Sequence, residues 1–449
     1  MKKIRFLPAF ALILILSLSF ASCSLIRYFS DNQPVPLPAD GEIERTPLYQ
    51  LDDWTIARAS LHNHTIYSDG CRTPEDLLEL ARRQGMAILA YADHREGDFC
   101  VKEGSKFCIT FNGIEKVGYE TYFDHLNRLK AESEDIIVIA GIEVMPWFFN
   151  AGHPPNLVIT NQNAHFTVYA IEDPQVYYNM PVRRALDDLK PELDPGLQVY
   201  QDYVDYIVDN GGIIHAAHVE SYQDIWAAKT IHATSPPRPH WVYELRDLTG
   251  FSILPEGWEV AGAPGSYWDA ALIEKLLGVR ETAPWAVGDA DYHGPEGTLY
   301  RATTLFYMRE FTEPEIYRCM REGRMVALQG EAFQDSYVTE FSISEDGAPG
   351  ERIIFGEELT VSSPPVIRFS LNREVPEATA LLIRNGKVIL ETADPAFEYV
   401  DREMFKQNLP AVYRVQVVGP RLEPMSEEFP DTEPQSQLYT NPVFVRVKK

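Results

Sequence analysis

Hydrophobic positions along the chain fall into two textures that change near residue 330. Before that point, short apolar runs alternate with stretches whose apolar residues recur at helical spacing. Met86–Tyr91, Ile136–Ala140, Asn156–Thr160, Ile213–Ala217, Trp258–Ala261 and Trp285–Gly288 predict strands. Tyr119–Lys130, Leu197–Val208, Trp268–Leu277 and Thr312–Gly323 predict helices. A further helix is expected from Thr73 to Gly85, with Thr73 as N-cap, Pro74 in the first turn and Asp76 as the acidic third position. Strand–helix alternation of this kind argues for parallel strands joined by crossover helices. After residue 330 the runs shorten: Val366–Leu371, Ala380–Arg384, Lys387–Leu390, Val412–Val418 and Val443–Val447. Asn385-Gly386 between two of them marks a hairpin, and the series predicts an immunoglobulin-like β-sandwich.

The first residues have another character. Lys2, Lys3 and Arg5 precede an apolar run from Leu7 to Leu18, and Ala21 and Ser22 lead to Cys23. This is a secretory signal pattern, too short in its apolar part for an ordinary membrane span. The Phe-Ala-Ser-Cys ending resembles a bacterial lipobox, which implies lipidation at Cys23; an uncleaved anchor helix is the alternative. Residues 24–50, with Pro34, Pro36, Pro38 and Gly41, read as a tether. The expected division is therefore signal peptide 1–23, tether 24–50, an α/β barrel 51–332 and a β-sandwich 333–449. The expected location is the bacterial cell envelope, membrane-anchored through Cys23 and facing the periplasm or the exterior.

Composition narrows the partners. In 449 residues, 66 acidic side chains face 40 basic ones, for a formal charge of −26, so nucleic acid is a poor partner. None of the five cysteines forms a Cys-x-x-Cys pair, which argues against a thiolate zinc site. Cys100 and Cys108 could pair in an oxidising compartment, whereas Cys71 and Cys319 have no evident mate.

Candidate chemistry gathers at the ends of the predicted strands. His62 and His64 stand two apart, so on a strand both point to one face. Asp93-His94, Glu143, His218 and Asp289 through His293 follow other apolar runs. In α/β barrels such strand ends share one mouth. Imidazole and carboxylate donors suit Zn, Mn or Fe. A bridging carboxylate holds two such ions roughly 3.5–4 Å apart, and a water between them becomes a nucleophile near neutral pH. Each residue alone has a plainer reading, as a core histidine, a turn or a cap. Arg95 could clamp an anion or sit in an ordinary ion pair. Asp93, beside His94, is a candidate for orienting a ligand, and Asp289 is a second-rank site candidate. His215 should face away from His218, while His125, His165, His232 and His240 read as structural or surface residues. The aromatic insertion between Val219 and Trp258 should overhang the mouth.

Taken together, His62-Asn63-His64 with Ser68-Asp69-Gly70, Asp93-His94, Gly141-Ile142-Glu143, Ala217-His218 and Asp291-Tyr292-His293 resemble the motifs of the polymerase and histidinol phosphatase (PHP) family of metal-dependent phosphoesterases. The resemblance implies a distorted seven-stranded, TIM-like β/α barrel with two or three divalent metal ions. It implies His62, His64, Glu143 and Asp291 on a first metal, with Asp291 a holding and Glu143 a bridging ligand. It implies Glu143, His153 and His218 on a second, and Asp69, His94 and His293 on a third. The activity it implies is hydrolysis of a small-molecule phosphoester. Exported relatives with a β-sandwich tail make a carboxylic or carbamic ester the alternative substrate. A non-catalytic glycan- or metal-binding lipoprotein is a third reading.

Overall fold

The computed structural model describes residues 34, 35, 37 and 46–448, apart from 101, 103–107, 111, 154, 228–230, 296–297, 346–350 and 423–434. The signal pattern, Cys23 and most of the tether lie outside the described residues. The tether's end is not featureless. Val35 exchanges hydrogen bonds with the Cys71-Arg72 loop, and Leu48–Leu51 pairs antiparallel with the strand that follows.

Strands β1 (Trp54–Asn63), β2 (Ile88–His94), β3 (Ile137–Val144), β4 (Phe166–Tyr169), β5 (Ile213–Ala216), β6 (Gly250–Leu254) and β7 (Trp285–Gly288) are neighbours in chain order. β1, β2 and β3 are parallel; β4 runs against both its neighbours; β5, β6 and β7 are parallel again. The intervening helices follow local rules. α1 (Pro74–Arg83) is capped by Thr73, whose Oγ1 accepts the Asp76 N–H at 3.1 Å. α2 (Tyr119–Glu132), α3 (Gln198–Asp209) and α4 (Tyr267–Leu277) each bury one apolar face, and α4 ends at a left-handed Gly278.

The sheet does not close into the expected TIM-like barrel. β8 (Ala302–Met308) occupies the free edge of β1, and β9 (Met325–Gln329) follows it after α5 (Glu313–Glu322). β8 covers Thr55–Ala59 of β1, and β7 itself pairs with no part of that strand. The segment after β7 meets the strand's end, where Tyr292 donates to His62 O at 3.1 Å and His64 donates to Tyr292 O at 2.9 Å. The expected strand Trp258–Ala261 is a turn, and the strand lies earlier at Gly250–Leu254.

The C-terminal part differs from a free-standing immunoglobulin-like sandwich. β10 (Val338–Glu345), β11 (Pro365–Leu371) and β14 (Ala396–Val400) form a small antiparallel sheet. β12 (Thr379–Arg384), β13 (Lys387–Thr392), β15 (Ala411–Arg421) and β16 (Gln435–Thr440) instead prolong the main sheet, because β16 pairs with β9. One apolar core is shared across the expected boundary: Ile56, Leu305, Tyr307 and Leu328 pack with Phe341, Phe369, Val415 and Val445. A hydrogen-bonded edge and a common core join the two parts across residue 330.

Candidate metal centre

The C-terminal ends of β1, β2, β3, β5 and β7 open on one rim, and so does the N-terminal end of β4, because that strand is reversed. Glu143, the penultimate residue of β3, is fully buried at the middle of this rim. Its Oε1 lies 3.0 Å from His62 Nε2, 3.1 Å from His165 Nδ1 and 3.1 Å from His218 Nε2. Its Oε2 lies 2.9 Å from His94 Nδ1 and 3.4 Å from His64 Nε2. Asp291 Oδ1 adds contacts of 3.2 Å to both His62 Nε2 and His64 Nε2.

Three groups of potential ligands result: His62, His64, Glu143 and Asp291; His94, Glu143 and His165; and His64, Asp69, His94 and His293. In the first, His62 Nε2, His64 Nε2, Glu143 Oε2 and Asp291 Oδ1 are buried and make no hydrogen bond. Buried polar atoms are ordinarily satisfied, so four that converge without partners call for a cation among them. Their separations also fit, since ligands about 2.0–2.1 Å from a tetrahedral zinc stand about 3.3 Å apart.

Three residues of the cluster also carry backbone strain. His62, His218 and Asp291 have φ of 61°, 30° and 45°, values that non-glycine residues seldom adopt. The pairing of β1 with β2 slips between Ser60 and Asn63, so His62 sits in an irregularity and His64 lies just beyond the strand. Their imidazoles converge, with ring centroids 5.1 Å apart, but by a bulge and not by regular alternation. The following turn is tight: a Cβ on Gly70 would lie 2.2 Å from His64 O. Asp93 holds this turn by accepting Thr65 N–H at 2.7 Å, Thr65 Oγ1 at 2.9 Å and Ser68 Oγ at 2.7 Å.

The charges compensate one another. Burial alone would raise Glu143, but His165, His62 and His94 hold it well below the usual carboxylate range. Asp291 is likewise kept low against burial by His62 and His293. Against the same desolvation, Glu143 and Asp69 raise His94 to about 10, and Asp69 and Asp291 raise His293 to about 9. His64 is pushed down to about 3 by burial and by the neighbouring His293 and His94. Imidazolium groups thus serve as the counter-charges that metal ions would replace.

Of the sequence candidates, His62, His64, Asp69, His94, Glu143, His218, Asp291 and His293 come together. His153 does not: it is exposed on the turn before Leu157–Thr160, outside all three groups. His165 is at Glu143 in its place. Arg95 is not a free anion clamp either. It is buried, and its guanidinium is engaged by Glu96 at 3.0 Å and Glu115 at 2.9 Å. Glu256, which sequence reasoning passed over, lies within electrostatic reach of His218 and Asp291, and burial pushes its carboxyl upward. The aromatic insertion forms a hairpin, Gln223–Ala227 and Ile231–Ser235, that pairs with Leu157–Thr160 and exposes Tyr222 and Trp226. Cys100 is disulfide-bonded and stands opposite Cys108 on a two-strand ladder, while Cys71 and Cys319 are free.

Among solved structures, the chain is similar to a two-domain protein from Bacteroides vulgatus containing a predicted PHP-like metal-dependent phosphoesterase. The identity is 15%, with 83% of this chain and 94% of that one covered, at a TM-score of 0.39. A protein of Bifidobacterium adolescentis described as a metal-dependent phosphoesterase shares 15% identity over 53% of this chain and 87% of that one, TM-score 0.26. An amidohydrolase of Chromobacterium violaceum shares 18% over 60% and 97%, TM-score 0.28. At these scores the likenesses bear on no residue's role. No curated protein matches the chain. Residues 60–222 match the family model of the PHP domain, a span that holds His62 through His218, while Asp291 and His293 are brought to the same cluster from beyond it.

Proposed function

We propose that this chain is a metal-dependent phosphoesterase acting on a small-molecule ester at the bacterial envelope, tethered there by a lipidated Cys23. The observation that carries the metal reading is the convergence of unpartnered buried donors around Glu143. His62, His64, Glu143 and Asp291 would hold one divalent ion, Zn, Mn or Fe. Glu143 with His165, His218 and His94 would hold a second, and Asp69, His94 and His293 with His64 a third. Ions so held supply Lewis acidity and a nucleophile at neutral pH. The protein's own part is orientation. Glu143 presents both oxygens from the end of a rigid strand, and Asp93 pins the turn that carries Asp69. The phosphoester itself rests on the family resemblance.

A carboxylic or carbamic ester is the second reading. It is favoured by one observation: Arg95, the predicted anion clamp, is occupied by Glu96 and Glu115. The deciding experiment supplies Zn or Mn to purified protein and compares nitrophenyl phosphate with nitrophenyl acetate. The phosphoesterase reading predicts phosphate release that a chelator stops. Turnover of the acetate with none of any phosphate ester would replace it by the second reading.

A further inference from the structure

We infer that Asp289 is a positioning residue that fixes His62 for metal binding, with the Ser252 hydroxyl steadying the same carboxylate oxygen. This rests on the metal-centre reading above. β7 ends at Gly288, and the next residues deliver two carboxylates to opposite edges of one imidazole. Asp291 Oδ1 faces His62 Nε2 at 3.2 Å, whereas Asp289 Oδ2 faces His62 Nδ1 at 3.4 Å. Only the Nε2 edge looks into the ligand group.

An imidazole that gives a lone pair to a metal through Nε2 must carry its proton on Nδ1. An acceptor at Nδ1 selects that tautomer and makes Nε2 a better donor. With the other tautomer, the Nε2 proton would point at Glu143 and Asp291, and the ring would be a counter-ion in place of a ligand. The arrangement also accounts for a costly feature. Asp289 is 2% exposed, yet among the described residues no Arg or Lys pairs with it. Among the described residues its side-chain contacts are the Ser252 hydroxyl, which donates to Oδ2, and His62 Nδ1, which lies at ion-pair distance and has no other partner. A buried carboxylate without a cationic partner is expensive unless a charged centre lies behind its neighbour. His62 also needs such a hold, since its own backbone is in a strained, left-handed conformation.

The test uses the full-length chain stripped by chelator, with Zn2+ titrated in competition with a chromophoric chelator. Asp289→Ala should weaken zinc binding about 10–100-fold. Asp289→Asn keeps an acceptor oxygen and should fall between that variant and the parent. Ser252→Ala should lose several-fold (on the order of a single hydrogen bond). The metal-free protein supplies the control. Asp289→Asn removes a buried charge, so its unfolding midpoint without zinc should hold or rise while its zinc affinity falls. A merely structural role would lower both together, and that result overturns the inference. So does unchanged affinity in Asp289→Asn. If Asp289→Ala fails to fold, Asp289→Asn and Ser252→Ala decide by the same criteria. A parent chain that binds no zinc or manganese sinks the metal-centre reading itself, which is a distinct outcome.

Discussion

Two clusters of buried charge can be set side by side. Around Glu143, the buried atoms His62 Nε2, His64 Nε2, Glu143 Oε2 and Asp291 Oδ1 face one another without hydrogen bonds. At the other, Arg414 on β15 meets Asp269 on α4 through Nε–Oδ1 at 2.7 Å and Nη2–Oδ2 at 2.8 Å. That guanidinium also donates to Gly262 O at 3.1 Å and lies 4.7 Å over the Trp268 ring, leaving only Nη1 unpartnered. Both clusters pay for desolvation, but only one is internally satisfied. The Arg414–Asp269 pair is a joint that binds the C-terminal strands to the α/β part. The Glu143 cluster leaves four converging donor atoms unpaired. Burial of charge therefore does not mark function here; the geometry of what remains unpaired does.

The sharpest way to break this contrast is Glu143→Gln. Turnover of a metal-loaded phosphate-ester assay should fall by about a thousandfold or more, the scale of losing a principal electrostatic stabiliser. The unfolding midpoint of the metal-free form should change far less, because the neighbouring imidazoles can release their protons once the carboxylate is gone. Retained turnover would remove Glu143 from the centre.

Arg414→Leu should do the reverse. It leaves Asp269 buried and unpaired and should cost about 3–5 kcal/mol in denaturant unfolding. Turnover per folded molecule should be unchanged. Arg414→Met combined with Asp269→Leu should recover most of that loss, and a double variant as unstable as the single would show that the pair does more than join the two parts.

Next in size is His165 against His153. His165→Ala should weaken metal binding more than the roughly 10–100-fold lost with an outer partner, and metal content after dialysis should show it. His153→Ala should leave both content and turnover at the parent level. The opposite ranking would restore the position expected from sequence.

The smallest effect concerns a third kind of buried group. His215 is neutral and enclosed, and burial pushes it down to about 3. Its folded value lies below the ordinary 6.5, so the unfolded chain takes up its proton first as pH falls. Its contribution is therefore present above pH 6.5 and is lost progressively below it, by about 2 kcal/mol between pH 7 and pH 5. His215→Leu should flatten the stability profile in that window by this amount, as followed by thermal unfolding.

Much of the site was legible because its donors end apolar runs. His94, Glu143, His218 and Asp291 follow predicted strands, and each reaches the rim. His165 was not legible by the same rule. Phe166–Tyr169 is a strand, but β4 is antiparallel, so its entry and not its exit faces the ligands. A search of both ends of every apolar run would have found it. Arg95 sits in the ion pair that was its alternative reading. Its partner Glu115 lies twenty residues away, beyond any local pattern.

What the sequence determined by itself was the local order. It set strands and helices by periodicity, the Thr73 cap by side-chain chemistry, and a metal-type donor set by composition at the strand ends. Tertiary structure alone decided strand direction, and therefore which histidine joins Glu143. It decided that β8 would take the free edge of β1, and therefore that the sheet stays open. It also decided that four of the C-terminal strands would continue the main sheet. Periodicity records which face of a strand is buried, but edge pairing is made by backbone groups that every residue carries alike, so the sequence pattern says little about which edge meets which.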